Sequence, residues 1–96
     1  MSYLHYHFPA GIDAFSTCRD GGVSDGAYAS LHCTRYCADK PEHVLAHRHR
    51  LCADWHIVDD RLIMPRQVHG VGMAVIDDAF LARPMADREK MLEGVD

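Results

Sequence analysis

The sequence predicts an α/β (α+β) fold in which short strands accompany a small number of helices. Two strand-like segments occupy residues 4–8 and 12–17, and a strongly amphipathic segment occupies residues 41–54. Apolar runs rich in β-branched residues follow at 62–64 and 71–76. Hydrophobic residues make up 48% and charged residues 25% of the 96 positions. This balance is typical of one small globular domain and argues against disorder.

The first strand, residues 4–8, alternates apolar with polar side chains and is closed by Pro9. The second, residues 12–17, is short and apolar. Residues 20–26 have the sequence Asp-Gly-Gly-Val-Ser-Asp-Gly, which predicts a loop because it concentrates turn-forming residues. The loop lacks the spacing of a dinucleotide-binding motif or a P-loop.

A helix is predicted from about residue 41 to residue 54. Asp39 can cap it, and Pro41 suits its first turn. We expect His43, His47 and Arg50 to lie away from the apolar face. That face is formed by Val44, Leu45, Leu51, Cys52 and Trp55.

The runs 62–64 and 71–76 are predicted to be strands, or one strand with a kink at His69-Gly70. A short helix is expected after Pro84, within residues 80–93. The last three residues, 94–96, look like the start of another strand. The methionines at 64, 73, 85 and 91 are predicted to fill the core.

The net charge of −4 argues against a nucleic-acid surface, which normally carries excess positive charge. No apolar run approaches the roughly 18–20 residues of a membrane span. The N-terminal segment lacks the features of a signal peptide, so the default location is cytoplasmic. For the same reason, reduced thiols are predicted for Cys18, Cys33, Cys37 and Cys52.

Three groups of residues are candidates for chemistry. His69 lies where a predicted strand meets a turn, and its imidazole can bind zinc or simply complete a hydrogen bond. Arg19 beside Gly21 and Gly22 offers a cation next to backbone N–H groups, which suits phosphate; the alternative is an ordinary surface hairpin. The histidines at 43 and 47 are four apart and can chelate a metal, although a solvated helix face is favoured.

Two segments resemble the laccase-domain (YfiH-like, "polyphenol oxidase") family. They are residues 17–24 (Thr-Cys-Arg-Asp-Gly-Gly-Val-Ser) and residues 67–70 (Gln-Val-His-Gly). The resemblance runs from about Ile12 to Asp96 and includes the helix start at 39–42 and Tyr-Ala-Ser-Leu at 28–31. Cys18 replaces the usual threonine of this family, and His32 replaces its asparagine.

The resemblance implies a mixed-sheet sandwich with flanking helices, in which residues 1–96 form the N-terminal part of one larger domain. It implies a zinc site with His69 as a catalytic residue and metal ligand, and with further Cys and His ligands expected beyond residue 96. Arg19, Ser30 and Gln67 are then the candidate substrate-binding residues.

The implied activity is phosphorolysis of adenosine, inosine or methylthioadenosine to a base and a pentose 1-phosphate, together with adenosine deamination. The implied partners are a purine nucleoside and phosphate, not nucleic acid or membrane, and an oligomer is allowed. Because one protein ligand does not hold a catalytic zinc, we expect residues 1–96 alone to be inactive.

Two alternatives stay open. In the first alternative, the chain is a non-catalytic truncated remnant or a small protein that binds a metal or a partner. The older alternative, a multicopper polyphenol oxidase, is less favoured, and so is copper as the metal. Copper sites of that kind need several paired histidine motifs, and the only His-x-His pairs are at 5/7 and 47/49.

Overall fold

The computed structural model describes all residues from 1 to 96 and divides them into two compact units, Met1–His56 and Ile57–Asp96. Together they contain a two-stranded antiparallel sheet and three α-helices, so the mixed α/β class is confirmed. The larger mixed-sheet sandwich stays a prediction. No helix is long and apolar enough to cross a membrane.

Strand β1 spans Tyr3–Tyr6 and pairs with strand β2, Ala14–Thr17. Both predicted strands are therefore confirmed. The register places His5 opposite Phe15, so these two side chains share one face of the sheet with Tyr3. On that face the Phe15 ring stacks on the Trp55 indole, with 4.1 Å between ring centroids and 5° between planes. The Tyr3 ring meets the same indole edge-on at 5.5 Å.

The hydroxyl of Tyr3 donates a hydrogen bond to the carboxylate of Asp54 at 2.6 Å. Burial of the phenol and this contact raise the pKa of Tyr3 to about 12, because the phenolate would lose the hydrogen bond and face a negative charge. The aromatic cluster of Tyr3, His5, Phe15 and Trp55 therefore joins the sheet to the end of the following helix.

Helix α1 spans Pro41–Asp54, as predicted. Two expectations about it are wrong. Lys40, not Asp39, occupies the capping position, because the Asp39 carboxylate is engaged elsewhere. His47 does not face solvent: it is 0% exposed, whereas Leu45 is 69% exposed. The buried residues are Val44, His47, Leu51 and Cys52. Their spacing of i, i+3, i+7 and i+8 is one helical face, and His47 falls on it.

In the second unit, the runs 62–64 and 71–76 do not form strands, so that prediction is wrong. Two isolated parallel bridges form instead, one between the runs, Arg66 with Glu93, and one at the start of the second run, Gly72 with Val95. A strand needs a continuous partner to satisfy its backbone groups. Val71 is accordingly 97% exposed and Val75 74% exposed.

Two helices complete this unit. Helix α2, Asp78–Leu81, is capped by Asp77, whose Oδ1 accepts from the Phe80 amide at 2.9 Å. Helix α3, Met85–Met91, follows Pro84 and confirms the predicted short helix. The buried residues are Phe80, Arg88 and Leu92. The Arg88 guanidinium lies 5.8 Å from the Phe80 ring and donates to backbone carbonyls of Asp60, Leu81 and Arg83, which satisfy its N–H groups inside the core.

The prediction that four methionines fill the core is wrong for three of them. Met73 is 89%, Met85 50% and Met91 39% exposed. No second layer covers these positions within the unit, so their apolar side chains remain in solvent. The four cysteines are free thiols, as expected.

Candidate functional site

His69 lies in an exposed loop, residues 66–72, that carries the Gln-Val-His-Gly segment. Its φ is +58°, in the left-handed region that non-glycine residues rarely adopt. The loop is held against residues 92–96. The Arg66 amide donates to the Leu92 carbonyl at 3.2 Å, and the Gly94 amide donates to the Arg66 carbonyl at 3.1 Å. At the other end, the Asp96 amide donates to the Gly72 carbonyl at 3.2 Å.

Gly72 is the glycine that this loop requires. A Cβ added there would lie 2.4 Å from the Gly94 carbonyl oxygen, whereas a Cβ at Gly70 would only touch a Val68 methyl at 3.6 Å. A side chain at position 70 would therefore fit, so the space around His69 does not require a glycine at that position. Gln67 is exposed in the same loop as His69, two positions before it.

Arg19 and Ser30 come together in the first unit. The Arg19 side chain is exposed, and its Nε donates to the Ala29 carbonyl at 3.3 Å. The Ser30 hydroxyl donates to the Arg19 carbonyl at 2.5 Å and accepts from the Gly22 amide at 3.2 Å. The expectation that the Gly22 N–H is open to an anion is wrong, because Ser30 already uses it. A Cβ at Gly22 would lie 1.9 Å from the Ser30 carbonyl oxygen, so only glycine fits this approach.

A network of polar side chains links the Gly-rich loop to helix α1, and the sequence did not predict it. The carboxylate of Asp39, 8% exposed, accepts from Ser24 Oγ at 2.5 Å and contacts His32 Nε2 at 2.6 Å. His43 Nδ1 lies 3.7 Å from the same carboxylate. The hydrogen bond from Ser24, followed by that from His32, lowers the pKa of Asp39 well below its usual range.

His47 is the fully buried member of this region. Its Nε2 accepts from the Val23 amide at 2.9 Å, and its Nδ1 lies 2.7 Å from the His32 carbonyl oxygen. A neutral imidazole with its proton on Nδ1 satisfies both contacts. This tautomer makes the 3.4 Å approach of the His32 amide to Nδ1 incidental. The solvated-face hypothesis is wrong for His47, and His43 is half-buried beside Asp39. The burial of His47 could have been predicted from one feature of the sequence, its spacing of three residues from the apolar Val44 on the helix.

No group of three or more His, Cys, Asp or Glu side chains is placed to hold a metal ion. A catalytic zinc takes three protein ligands and a water or substrate. The residues present therefore do not make a zinc site by themselves, and the exposed His69 imidazole supplies at most one ligand. A cavity of about 260 Å³ lies in the first unit, lined by residues between 27 and 37 that include Tyr28, His32 and Cys37.

Comparison with known proteins identifies similar sequences over most of the chain. The model of the family described as "Multi-copper polyphenol oxidoreductase laccase" matches residues 13–96. A "Purine nucleoside phosphorylase" of Bacteroides thetaiotaomicron is 38% identical over 85 residues, covering 88% of this chain and 32% of the relative. An "Adenosine deaminase RL5" from an unknown prokaryotic organism is 38% identical over 86 residues, covering 90% and 33%.

The "Purine nucleoside phosphorylase YfiH" of Escherichia coli K12 is 40% identical over 79 residues, covering 82% of this chain and 32% of the relative. The chain thus spans about a third of the length of the curated relatives it matches. No solved structure matches it. With a family model over residues 13–96, the chain belongs to the multi-copper polyphenol oxidoreductase laccase family, the YfiH-like laccase-domain proteins.

Proposed function

We propose that this chain forms part of an enzyme that processes purine nucleosides, by phosphorolysis to a base and a pentose 1-phosphate and by deamination of adenosine. One observation carries the proposal. Relatives whose names specify these two activities match 82–90% of the chain at 38–40% identity. The proposed substrates are adenosine, inosine or methylthioadenosine, with phosphate.

Three of the proposed roles rest on positions in the structure. Arg19 is an exposed cation in the loop that follows β2, suited to hold phosphate in line with the glycosidic carbon. Gln67 shares a loop with His69 and is proposed to contact the nucleoside. The Ser30 hydroxyl is occupied by backbone groups, so Ser30 is proposed to support substrate binding by fixing the loop around Arg19.

His69 is proposed as one ligand of a zinc ion, with the other ligands supplied from outside these 96 residues. When bound, zinc would lower the pKa of a coordinated water or polarise the purine. The chain contributes an exposed imidazole at a left-handed turn, and no group of three or more possible ligands forms around it. We therefore expect the 96-residue chain alone to turn over no nucleoside.

The family description names copper oxidases, but the structure gives this chemistry less support. One of the two His-x-His pairs includes His47, whose two ring nitrogens are both engaged with backbone groups in the core. The other includes His5, which packs in the aromatic cluster with Phe15 and Trp55. Using His47 as a copper ligand would break its contacts with the Val23 amide and the His32 carbonyl in the core of the first unit.

The test joins residues 1–96 to the segment of the Bacteroides thetaiotaomicron relative that follows its matched region. The fused protein is assayed with adenosine and inosine, with and without phosphate, and products are separated by chromatography. We expect phosphate-dependent release of base, inosine formation from adenosine, or both. His69→Ala should lower kcat/KM by about 10²-fold or more, the scale on which one catalytic group acts. The matched control is His7→Ala, which replaces an exposed histidine outside the candidate site.

Arg19→Ala should raise the KM for phosphate by about tenfold or more, because a charged hydrogen bond contributes about 1.5–3 kcal/mol. Its control is Arg61→Ala, an exposed arginine of the second unit. A fused protein with no activity above the His69→Ala level would reject the nucleoside proposal. Near-stoichiometric zinc in the isolated 96-residue chain, after dialysis, would instead favour a small metal-binding protein.

A further inference from the structure

The backbone at His69 needs an external restraint. A non-glycine residue at a φ of +58° is disfavoured because its Cβ crowds the backbone. Such conformations persist only where the surrounding structure holds them. The His69 side chain is exposed, so its own packing does not supply this restraint.

The carboxylate of Asp96 lies across the turn. Its Oδ1 accepts from the Val68 amide at 2.7 Å, and its Oδ2 accepts from the Gly70 amide at 2.6 Å. These are the two amides on either side of His69. Hydrogen bonds to an ionised carboxylate are shorter and stronger than neutral ones. The Asp96 backbone amide also donates to the Gly72 carbonyl, which fixes the position of the carboxylate relative to the loop.

We propose that Asp96 is a positioning residue for His69: its carboxylate holds the left-handed turn that presents the imidazole at the surface. The inference rests on the proposed function only in taking His69 as the working residue. It needs both carboxylate oxygens, since each accepts one amide. An asparagine has the same shape but offers one acceptor and one N–H₂ donor, so it can satisfy only one of the two amides.

The first measurement is amide hydrogen exchange, by NMR, in the 96-residue chain and in Asp96→Ala and Asp96→Asn. We expect exchange at Val68 and Gly70 to become at least tenfold faster in the alanine variant, and at only one of them in the asparagine variant. The strong intraresidue amide-to-Hα NOE that a positive φ produces at His69 should weaken. The control is Glu93→Gln, which removes an exposed carboxylate 3.5 Å from Arg66 in the adjoining segment.

Unchanged protection of both amides and an unchanged His69 NOE in Asp96→Ala would overturn the proposal. Amides of the helices serve as the internal reference for folding, so loss of the turn is separated from loss of the fold. If Asp96→Ala is unfolded, the isosteric Asp96→Asn variant tests the proposal instead. Loss of exchange protection at one of the two amides supports it, and unchanged protection at both overturns it.

The fused protein gives the second readout. Asp96→Asn should lower kcat with little change in the KM for phosphate, because the imidazole is misplaced while Arg19, in the first unit, is unaffected. Activity that falls in His69→Ala and stays at the parent level in Asp96→Asn would overturn the positioning role and leave the nucleoside function intact. Conversely, the exchange measurement can show that the turn depends on Asp96 while the fused protein has no activity. That combination would reject the nucleoside function and keep the positioning role.

Discussion

Replacing His47 by alanine should destabilise the first unit more than any exposed histidine substitution. The change removes the acceptor of the Val23 amide and the donor to the His32 carbonyl, and it empties a fully buried site. Each orphaned group costs about 1 kcal/mol at the low end of the range for partly buried groups. A cavity of this size adds about 1 kcal/mol or more. The expected loss is about 3 kcal/mol, a large share of the roughly 5–15 kcal/mol that stabilises a domain.

Urea unfolding followed by the fluorescence of Trp55, the single tryptophan, measures this loss. Trp55 lies in the same unit as His47 and stacks on Phe15, so its emission reports on the unit concerned. With a slope of about 1–2 kcal/mol/M, the midpoint should fall by roughly 1.5–3 M. His47→Gln can keep an acceptor for the Val23 amide, so its midpoint should lie between those of the parent and His47→Ala.

The control is His7→Ala, which should change stability by less than about 0.5 kcal/mol because His7 is exposed. If His47→Ala unfolds at the same urea concentration as His7→Ala, the hydrogen bonds to the Val23 amide and His32 carbonyl contribute nothing, and the reasoning is refuted. If His47→Ala is unfolded without urea, the midpoint of His47→Gln still discriminates: equality with the parent contradicts the argument.

Three further predictions concern titration and close packing. Because the pKa of Asp39 is lowered on folding, its contacts stabilise fully above its unfolded pKa of about 4 and are lost as the pH falls through the folded value. The urea midpoint should therefore drop on acidification, and drop less in Asp39→Asn; parallel pH profiles would contradict this. The pKa of Tyr3 is raised, so its contribution is present below about pH 10 and is lost as the pH rises towards 12. Ultraviolet titration should show a component near pH 12 that disappears in Tyr3→Phe and moves down in Asp54→Asn; its persistence in Tyr3→Phe would assign it elsewhere. Gly72→Ala should cost about 1–3 kcal/mol, since a backbone oxygen lies 2.4 Å from the added Cβ, whereas Gly70→Ala should be tolerated. Amide exchange in helix α3 compares the two variants, and equal effects would refute the steric argument.

Local patterns predicted the elements whose interactions are local. The helix at 41–54 was predictable because Pro41 and the 3.6-residue periodicity lie within its own sequence, although its cap was assigned to the wrong residue. The first N-terminal strand was predictable from its alternation and the second from its short apolar run, each beside turn-forming residues. The strands at 62–64 and 71–76 were not, because a strand depends on a partner that the local sequence does not reveal.

The candidate site also has a part that the sequence predicted and a part that it did not. Its residue types, above all His69 with Gln67 and Arg19 beside glycines, could be selected from short motifs and from the family resemblance. Their surroundings could not. In the structure the Ser30 hydroxyl accepts from the Gly22 amide across the loop, and this contact removes the open N–H that the motif had suggested for an anion.

The sequence by itself determined the helix, the first two strands, the Gly-rich loop and the family, because each is written in neighbouring residues or in motifs of fixed spacing. Only the tertiary structure decided that His47 is buried, that Asp39 joins Ser24 to His32, and that Asp96 spans the turn at His69. These contacts join residues separated by up to 28 positions along the chain. A polar side chain is stable in such a place only when folding brings its partners within hydrogen-bond distance, and no local pattern records where those partners will lie.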